Sequence, residues 1–398
     1  MINLRRNTLL FRILRLAWRE PWIVPAFLRY EYRGRWGARW DRLRHSGRSA
    51  LPAYVGLNVT RRCNLRCLMC NQYRAPEAKP GKNISWYDPS RELPLDAWVS
   101  LLDELAVWRP ILYVTGGEPL LYPRILDLLA AAKARGLAVQ LQTNGVLLDR
   151  VAADLVDLGV QMVTISLDGS PEINDQIRGP MAFARTAAGV QALSAARERR
   201  GSPTPIMDLL GTISRANLAH LGELVPIALE MGVDKLNFNH TDFLNREMAD
   251  RHNLMLSADF AQSQGLSLIP PSLPRGEYYE SKIAAADVPV LMESIREVNR
   301  RAKGRIPVMF FPNLPDAVLG PYYLDLDYAF PQVCRHLWQK VRIMPDGTVS
   351  PCLHLVMGNI VHEPLREIWN NSPYRNFRRL AAKRLFPGCA RCCHRRFS

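Results

Sequence analysis

The sequence predicts an α/β fold: a partial (β/α)6 TIM-like barrel, or an open sheet of the same units, followed by a small cysteine-bearing C-terminal unit. Three observations predict it. Strand and helix patterns alternate in series from Ala53 to about residue 239. The eight cysteines fall into two tight sets, with none in residues 71–333. A hairpin pattern, KVRIMPDGTVSPC, lies inside the second set, with an Asp-Gly turn between two strands.

The elements follow in order. AYVGLNVT (53–60) is rich in β-branched and aromatic residues and reads as a strand. PLDAWVSLLDELAVW (94–108) has its apolar residues at helical spacing. ILYVT (111–115) is a short apolar strand, followed by a helix over about 123–135. LAVQLQT (137–143) is a strand, and RVAADLVDLG a helix ended by Gly159. QMVTISLD (161–168) is a strand, the next helix runs over about 183–199, and IMDLLGTI (206–213) is a strand. LAHLGELVPIALEMG is a helix ended by Gly232, and VDKLNFN (233–239) is the sixth strand. Sites in such folds lie at the C-terminal ends of the strands.

Four segments result: a basic extension (1–50), the α/β core (51–245), a less regular, Pro-rich bridge with one helix at VLMESIREVNRRAK (246–330), and the C-terminal unit (331–398). At 398 residues the chain is long enough for two folded units with an extension. No apolar run is long enough to span a membrane, and no cleavable secretory signal is evident. Clustered cysteines in an α/β chain imply a cytoplasmic metal or cluster protein rather than a disulfide scaffold.

The net charge of +15 is uneven. Residues 1–50 hold twelve arginines against Glu20, Glu31 and Asp41, and residues 375–398 hold eight Arg or Lys and no acid. Basic ends imply an anionic partner (a membrane surface, a phosphorylated substrate or nucleic acid) or simply solvated charge. LLFRILRLAWREPWIVPAFLRY (9–30) reads as a basic amphipathic helix broken near Pro21 and Pro25. It suits either peripheral contact with a membrane or packing on the outside of the barrel, and the second is the expectation.

Cys63, Cys67 and Cys70, in CNLRCLMC, follow directly on the first strand. Three thiolates are one short of the four that close a cubane, which leaves one iron open. Zinc with a distant fourth cysteine is the other reading. CNLRCLMC resembles the CxxxCxxC motif of the radical S-adenosylmethionine (SAM) superfamily, and VTGGEPLL at the end of the second strand resembles its GGEP motif. The resemblance spans the six-unit region. It implies a [4Fe-4S] cluster that binds SAM and cleaves it reductively to a 5′-deoxyadenosyl radical, which takes hydrogen from a substrate. It implies contacts to the SAM methionine from Gly116, Gly117, Glu118 and Pro119. It also implies SAM contacts from Asn144 (with Thr143) in QTNG, from Ser166 and Asp168 in SLDG, and from Arg178. Met69 stands where the family often has an aromatic residue beside the adenine.

Cys334, Gly347 and Cys352 follow a CX12GX4C pattern, and Cys389 and Cys392 form a CxxC. Together they resemble the SPASM/twitch C-terminal domain, in the shortened form that holds one auxiliary [4Fe-4S] cluster. Cys393 is left over, and His394 keeps a zinc site in play. Asn237, Asn239, His240 and Asp242 follow the sixth strand and are expected to face the site, with Asn239 and His240 as catalytic candidates. The leading expectation is oxidation of a small polar or glycan-related metabolite, with an electron donor such as flavodoxin or ferredoxin and no nucleic acid. A 50-residue extension is short for a peptide-recognition domain. The alternatives are a peptide-modifying enzyme and a zinc- or cluster-bound interaction protein without catalysis.

Overall fold

The structure is a computed structural model that describes residues 4–70, 89–240, 246–268, 283–325, 334–352, 355–383, 385–389 and 391. Helices α1 (Leu4–Arg19), α2 (Val24–Tyr32) and α3 (Ala38–Leu43) precede the barrel. The core then runs β1 (Tyr54–Asn58), α4 (Leu95–Leu105), β2 (Ile111–Thr115), α5 (Ile125–Ala134), β3 (Ala138–Thr143), α6 (Ala152–Asp157) and β4 (Met162–Ser166). It continues with α7 (Pro171–Arg178), α8 (Ala182–Arg199), β5 (Ile206–Ile213), α9 (Leu224–Glu230) and β6 (Lys235–His240). All six expected strands are present at nearly the expected bounds.

Each strand alternates, and the alternation decides which side chains reach a site. Val55, Leu57, Leu112, Val114, Val139, Leu141, Val163, Ile165, Met207, Leu209, Leu236 and Phe238 all face the helical layer. None of them is more than 1% exposed. The other face is the inner one. At its lower end Ile111, Ala138 and Ile206 form a small apolar cluster with Leu16, Ile23 and Ala26.

That cluster corrects the expectation for the extension. α1 and α2 lie against the inner face at the starts of the strands, not on the outside of the barrel. A six-unit barrel leaves those apolar first residues uncovered, and the extension buries them. Polar ties fix the placement. Arg12 pairs with Asp234 at 3.1 Å, Lys133 with Glu20 at 3.0 Å, and Gln161 Nε2 donates to Glu20 at 2.7 Å.

The bridge is more ordered than its Pro-rich composition suggests. It forms α10 (Arg246–Met255), α11 (Ala258–Ser263), β7 (Ser267–Leu268), α12 (Asp287–Ala302), β8 (Val308–Phe311) and α13 (Asp316–Leu324). The C-terminal unit holds β9 (Lys340–Ile343), β10 (Thr348–Val349), β11 (Leu355–Val356), β12 (Gly358–Asn359), α14 (Leu365–Ile368) and α15 (Ser372–Lys383). The expected hairpin is β9–β10, closed by the Gly347 N–H to Met344 carbonyl bond at 2.9 Å.

Ten strands form one sheet in the order β12-β10-β9-β1-β2-β3-β4-β5-β6-β8. β8 pairs parallel with β6, and β9 pairs parallel with β1. The C-terminal unit therefore extends the barrel sheet rather than standing apart from it. Among the described residues β12 and β8 are the edge strands and the sheet does not close.

Candidate functional site

The chain leaves β1 and turns across the C-terminal ends of the strands, carrying Cys63, Cys67 and Cys70, all half-buried. Backbone bonds hold this loop on two sides. Leu68 N donates to Ile177 O (2.9 Å), Gly117 N to Thr60 O (2.8 Å) and Glu118 N to Arg62 O (2.7 Å). Within it, Cys70 N donates to Cys67 O (3.0 Å), and Arg66 Nη1 donates to the carbonyls of Cys63 and Leu65.

Burial pushes the Cys63 thiol up to about 12; the Leu65 N–H opposes the shift, while Glu118, Cys67 and Cys70 add to it. Burial pushes Cys67 up to about 11, against the pull of Arg178. Three soft donors close enough to feel one another suit a cluster with three cysteine ligands, and Cys63 and Cys67 need a cation to form their thiolates. Among the described residues no three His, Cys, Asp or Glu side chains are placed to hold a single metal ion.

The two glycines of VTGGEP are required by the cysteine loop itself. A Cβ on Gly116 would lie 2.3 Å from the Thr60 carbonyl oxygen, and one on Gly117 would lie 2.4 Å from that of Arg62. Glu118 is fully buried. Its carboxylate accepts from Thr143 Oγ1 (2.8 Å), Asn144 N (2.7 Å) and Leu120 N (3.1 Å). Burial still raises its pKa to about 7. Three of about four lone-pair positions are thus taken by neutral donors. Glu118 staples the end of β2 to the end of β3, and Pro119, also buried, opens the turn after it.

Asn144 Nδ2 donates to Asn64 Oδ1 at 2.8 Å and lies 3.9 Å from Cys63 Sγ. Ser166 ends β4 on the inner face and is 8% exposed. Asp168 is fully buried. Its Oδ2 lies 2.7 Å from Arg178 Nε, and its Oδ1 accepts from Thr212 N at 2.7 Å. Arg178 in turn places Nη1 4.0 Å from Cys67 Sγ. Burial alone would lower the Arg178 pKa, but Asp168 and then Cys67 outweigh it and raise it. Met69 is half-buried beside Cys70. The structure therefore gathers the first cysteine set, the GGEP turn, Asn144 and the Asp168–Arg178 pair into one connected network.

The residues expected after the sixth strand divide. His240 shares the helix-side face of β6 with Leu236 and Phe238. It is 1% exposed, bonded through Nδ1 to Tyr323 Oη at 2.7 Å and surrounded by Phe310, Tyr322 and Tyr323. Burial lowers its pKa to about 3. His240 does not face the site, because strand alternation turns it the other way. Asn237 is on the inner face but buried, donating to Asp208 Oδ1 at 2.7 Å. Asn239 is half-exposed at the inner mouth. Asp242 lies outside the described residues.

Asn239 belongs to a row that the sequence reading missed. Asn58, Thr115, Gln142 and Thr212 are half-exposed on the same inner face near the strand ends. Counting in twos from Ser166 along the paired strands would have found them.

In the second set, Cys334, Cys352 and Cys389 are half-buried against the main core. Tyr374 of α15 is fully buried. Its pKa is raised first by burial, against the pull of Arg378, with Cys352 and Cys334 adding to the rise. Those two thiols thus sit around one buried phenol, as soft donors suited to iron–sulfur ligation. Cys392, Cys393 and His394 lie outside the described residues.

Comparison with known proteins agrees with this layout. The family model for the radical SAM superfamily matches residues 57–246, and that for the SPASM iron–sulfur cluster-binding domain matches residues 334–393. A tungsten-containing aldehyde ferredoxin oxidoreductase cofactor-modifying protein of Pyrococcus furiosus is 24% identical, over 85% of this chain and 86% of its own. A PqqA peptide cyclase of Ruegeria pomeroyi is 28% identical, over 80% of this chain and 74% of its own. The fold is similar to that of Streptococcus suis SuiB bound to the precursor peptide SuiA, with a TM-score of 0.57 and 15% identity, covering 85% of this chain and 69% of that one. The chain belongs to the radical SAM superfamily, in the subgroup that carries a SPASM domain, and is an enzyme whose cofactors are a [4Fe-4S] cluster, SAM and an auxiliary iron–sulfur cluster.

Proposed function

We propose that the substrate is a peptide, and that the enzyme removes hydrogen from one of its residues. The observation that carries this is the inner row of Asn58, Thr115, Gln142, Thr212 and Asn239. These side chains are neutral amides and hydroxyls, which pair with the N–H and C=O groups of an extended chain. Among the described residues the sheet does not close, which leaves the barrel open on one side. PqqA peptide cyclases from three further organisms are 26–27% identical over 80–82% of this chain.

The small polar metabolite suggested by the residues after β6 has less support. Asn237 is occupied by Asp208, and His240 faces the helical layer.

Cys63, Cys67 and Cys70 are assigned as ligands of the SAM-binding cluster, and Cys334, Cys352, Cys389 and Cys392 as ligands of the auxiliary one. When bound, the first cluster and SAM supply one-electron cleavage to a 5′-deoxyadenosyl radical. The chain's own residues set the geometry. The Gly116–Gly117 backbone and Asn144 border the methionine end of SAM, Glu118 holds that border in place, and Arg178 neutralises charge beside Cys67. Met69 and Ser166 flank the remainder. A small reductant such as flavodoxin or ferredoxin delivers the electron.

Gly117→Ala tests this border. Overpacking against the Arg61 and Arg62 carbonyls costs about 1–3 kcal/mol of stability, and because the cysteine loop must shift to relieve it, SAM affinity is expected to fall. Anaerobic titration calorimetry reads it, and an unchanged affinity would detach the turn from SAM binding.

The substrate is tested by incubating reconstituted enzyme, SAM and reductant with synthetic peptides from the short open reading frames beside its gene. Formation of 5′-deoxyadenosine together with loss of hydrogen from one peptide, read by mass spectrometry, is the expected result. Turnover with small polyols or porphyrins, and with none of the peptides, overturns the proposal.

A further inference from the structure

The helical path from Val24 to Leu43 is unbroken. α2 passes through a π-turn at Arg33–Gly37 straight into α3, with right-handed helical dihedrals at each junction. At 1.5 Å per residue it is a rod of about 30 Å. One side is anchored. Ala26, Arg33, Gly34, Gly37 and Ala38 are buried. Arg33 Nη2 donates to Asp41, Ser49 Oγ and the Trp338 carbonyl, each at 2.7 Å. Gln339 Nε2 donates to the Tyr30 carbonyl at 2.7 Å.

The opposite side is apolar and open. Leu28, Tyr32, Trp36, Trp40 and Leu43 recur every three to four residues and are 65%, 55%, 56%, 59% and 51% exposed. Leu28, Trp36 and Leu43 point away from the anchored side, while Tyr32 and Trp40 border a cleft that they share with Arg33, Gly37 and Trp108. Leu14 and Trp18 of α1 are also exposed, at 58% and 84%. Soluble proteins seldom leave a row of large apolar side chains in water.

Arginine dominates the charge around the stripe, where Glu31 is the exposed acid of α2. Arg39, Arg44 and Arg48 are exposed. Arg42 is half-buried, and burial, then Arg335, then Arg39 lower its pKa, so Arg335 and Arg39 lie close enough to repel it. Asp41 is taken by Arg33. The fold also brings the second basic end here. α15 packs against α3, Arg378 Nη1 donates to the Gly47 carbonyl at 3.1 Å, and Arg379 and Lys383 of α15 are exposed.

We propose that this face, Leu28–Tyr32–Trp36–Trp40–Leu43 with its arginine border, docks on an anionic lipid bilayer. Rows of Trp, Tyr and Leu flanked by Arg on a helix lying flat are the chemistry of the bilayer interface. Each cation held near an anionic surface adds about 1 kcal/mol. An acidic electron carrier fits the charge, and the rod adjoins the auxiliary-cluster unit through Arg335 and α15, but a carrier docked by charge leaves the apolar row uncovered. The extension packs at the starts of the strands, and the cysteine loop of the SAM site is at their ends. Duplex nucleic acid, bound through its phosphates, leaves the five apolar side chains unused, whereas a single strand that stacks on Trp36 and Trp40 is an outcome the test distinguishes. No helix of the described residues is long and apolar enough to cross a membrane, so the contact is peripheral. The proposal is independent of which substrate the enzyme takes.

The test uses the full chain with its clusters reconstituted. It is sedimented with vesicles of phosphatidylcholine alone, or with about one-third phosphatidylglycerol. Partitioning is expected to be about tenfold or more stronger on the anionic vesicles, and to be weakened by salt. Trp36→Ser with Trp40→Ser, and separately Arg39→Glu with Arg44→Glu, should each lower it about tenfold at unchanged iron content. Bromine-labelled lipid should quench part of the tryptophan fluorescence of the unmodified protein, a readout that needs no variant to fold. Absence of anionic-vesicle binding or of quenching overturns the proposal. So does vesicle binding that survives the Trp36/Trp40 change, or single-stranded RNA that binds more tightly than the anionic vesicles and displaces the protein from them.

Discussion

Replacing Cys63, Cys67 and Cys70 together by alanine is expected to halve the iron, from about eight to about four per chain, and to abolish 5′-deoxyadenosine formation. The thiols lie in a loop whose fixed points are backbone hydrogen bonds to Ile177, Gly117 and Glu118, none of which uses the cysteine side chains. The fold should therefore persist and the C-terminal iron should remain. Iron and sulfide assay with electron paramagnetic resonance reads the first result, and chromatography of the reaction products the second. Continued SAM cleavage in this variant would remove the assignment of these ligands. Loss of all the iron would mean that the two sites do not load independently.

Asp168→Ala is expected to have the second largest effect. The carboxylate is fully buried, 2.7 Å from Arg178 Nε, and removing one member of such a pair leaves the other uncompensated. The cost is about 3–5 kcal/mol, read as a lower denaturation midpoint of the cluster-free protein. Asp168→Asn keeps one acceptor oxygen, for either the Thr212 N–H or Arg178, and loses the other oxygen and the charge, so it should fall between. Cluster ligation alters the result in a definite direction. The Cys67 thiol, protonated in the cluster-free chain because burial holds its pKa near 11, becomes a thiolate 4.0 Å from Arg178 Nη1. That second counter-charge should make the loss smaller in the reconstituted enzyme than in the cluster-free one. An equal loss in both would mean that Arg178 does not couple to the cluster loop.

Both predictions rest on residues that the sequence singled out, but on contacts that it did not contain. CNLRCLMC and VTGGEP were legible because their spacing is local and their residue types are scarce elsewhere. The reason for the glycines was not legible. Gly116 and Gly117 are excluded from carrying a side chain by carbonyls of the cysteine loop, residues more than fifty positions earlier. His240 was misread for a comparable cause. Its place after β6 put it near a strand end, but one step of alternation turns it into a cage of Tyr322, Tyr323 and Phe310 from the bridge.

By itself the sequence determined the six strands, most of the helices, the hairpin and the two cysteine sets, because each follows from hydrophobic period, turn residues or spacing over a few positions. Tertiary structure alone decided where the separated pieces meet. It laid the N-terminal helices against the lower inner face of the sheet and paired β9 with β1. It also inserted β8 beside β6 and gathered two basic ends around one exposed helix. Those outcomes depend on which apolar surface is left uncovered once the six units have packed, and that surface exists only in the assembled chain.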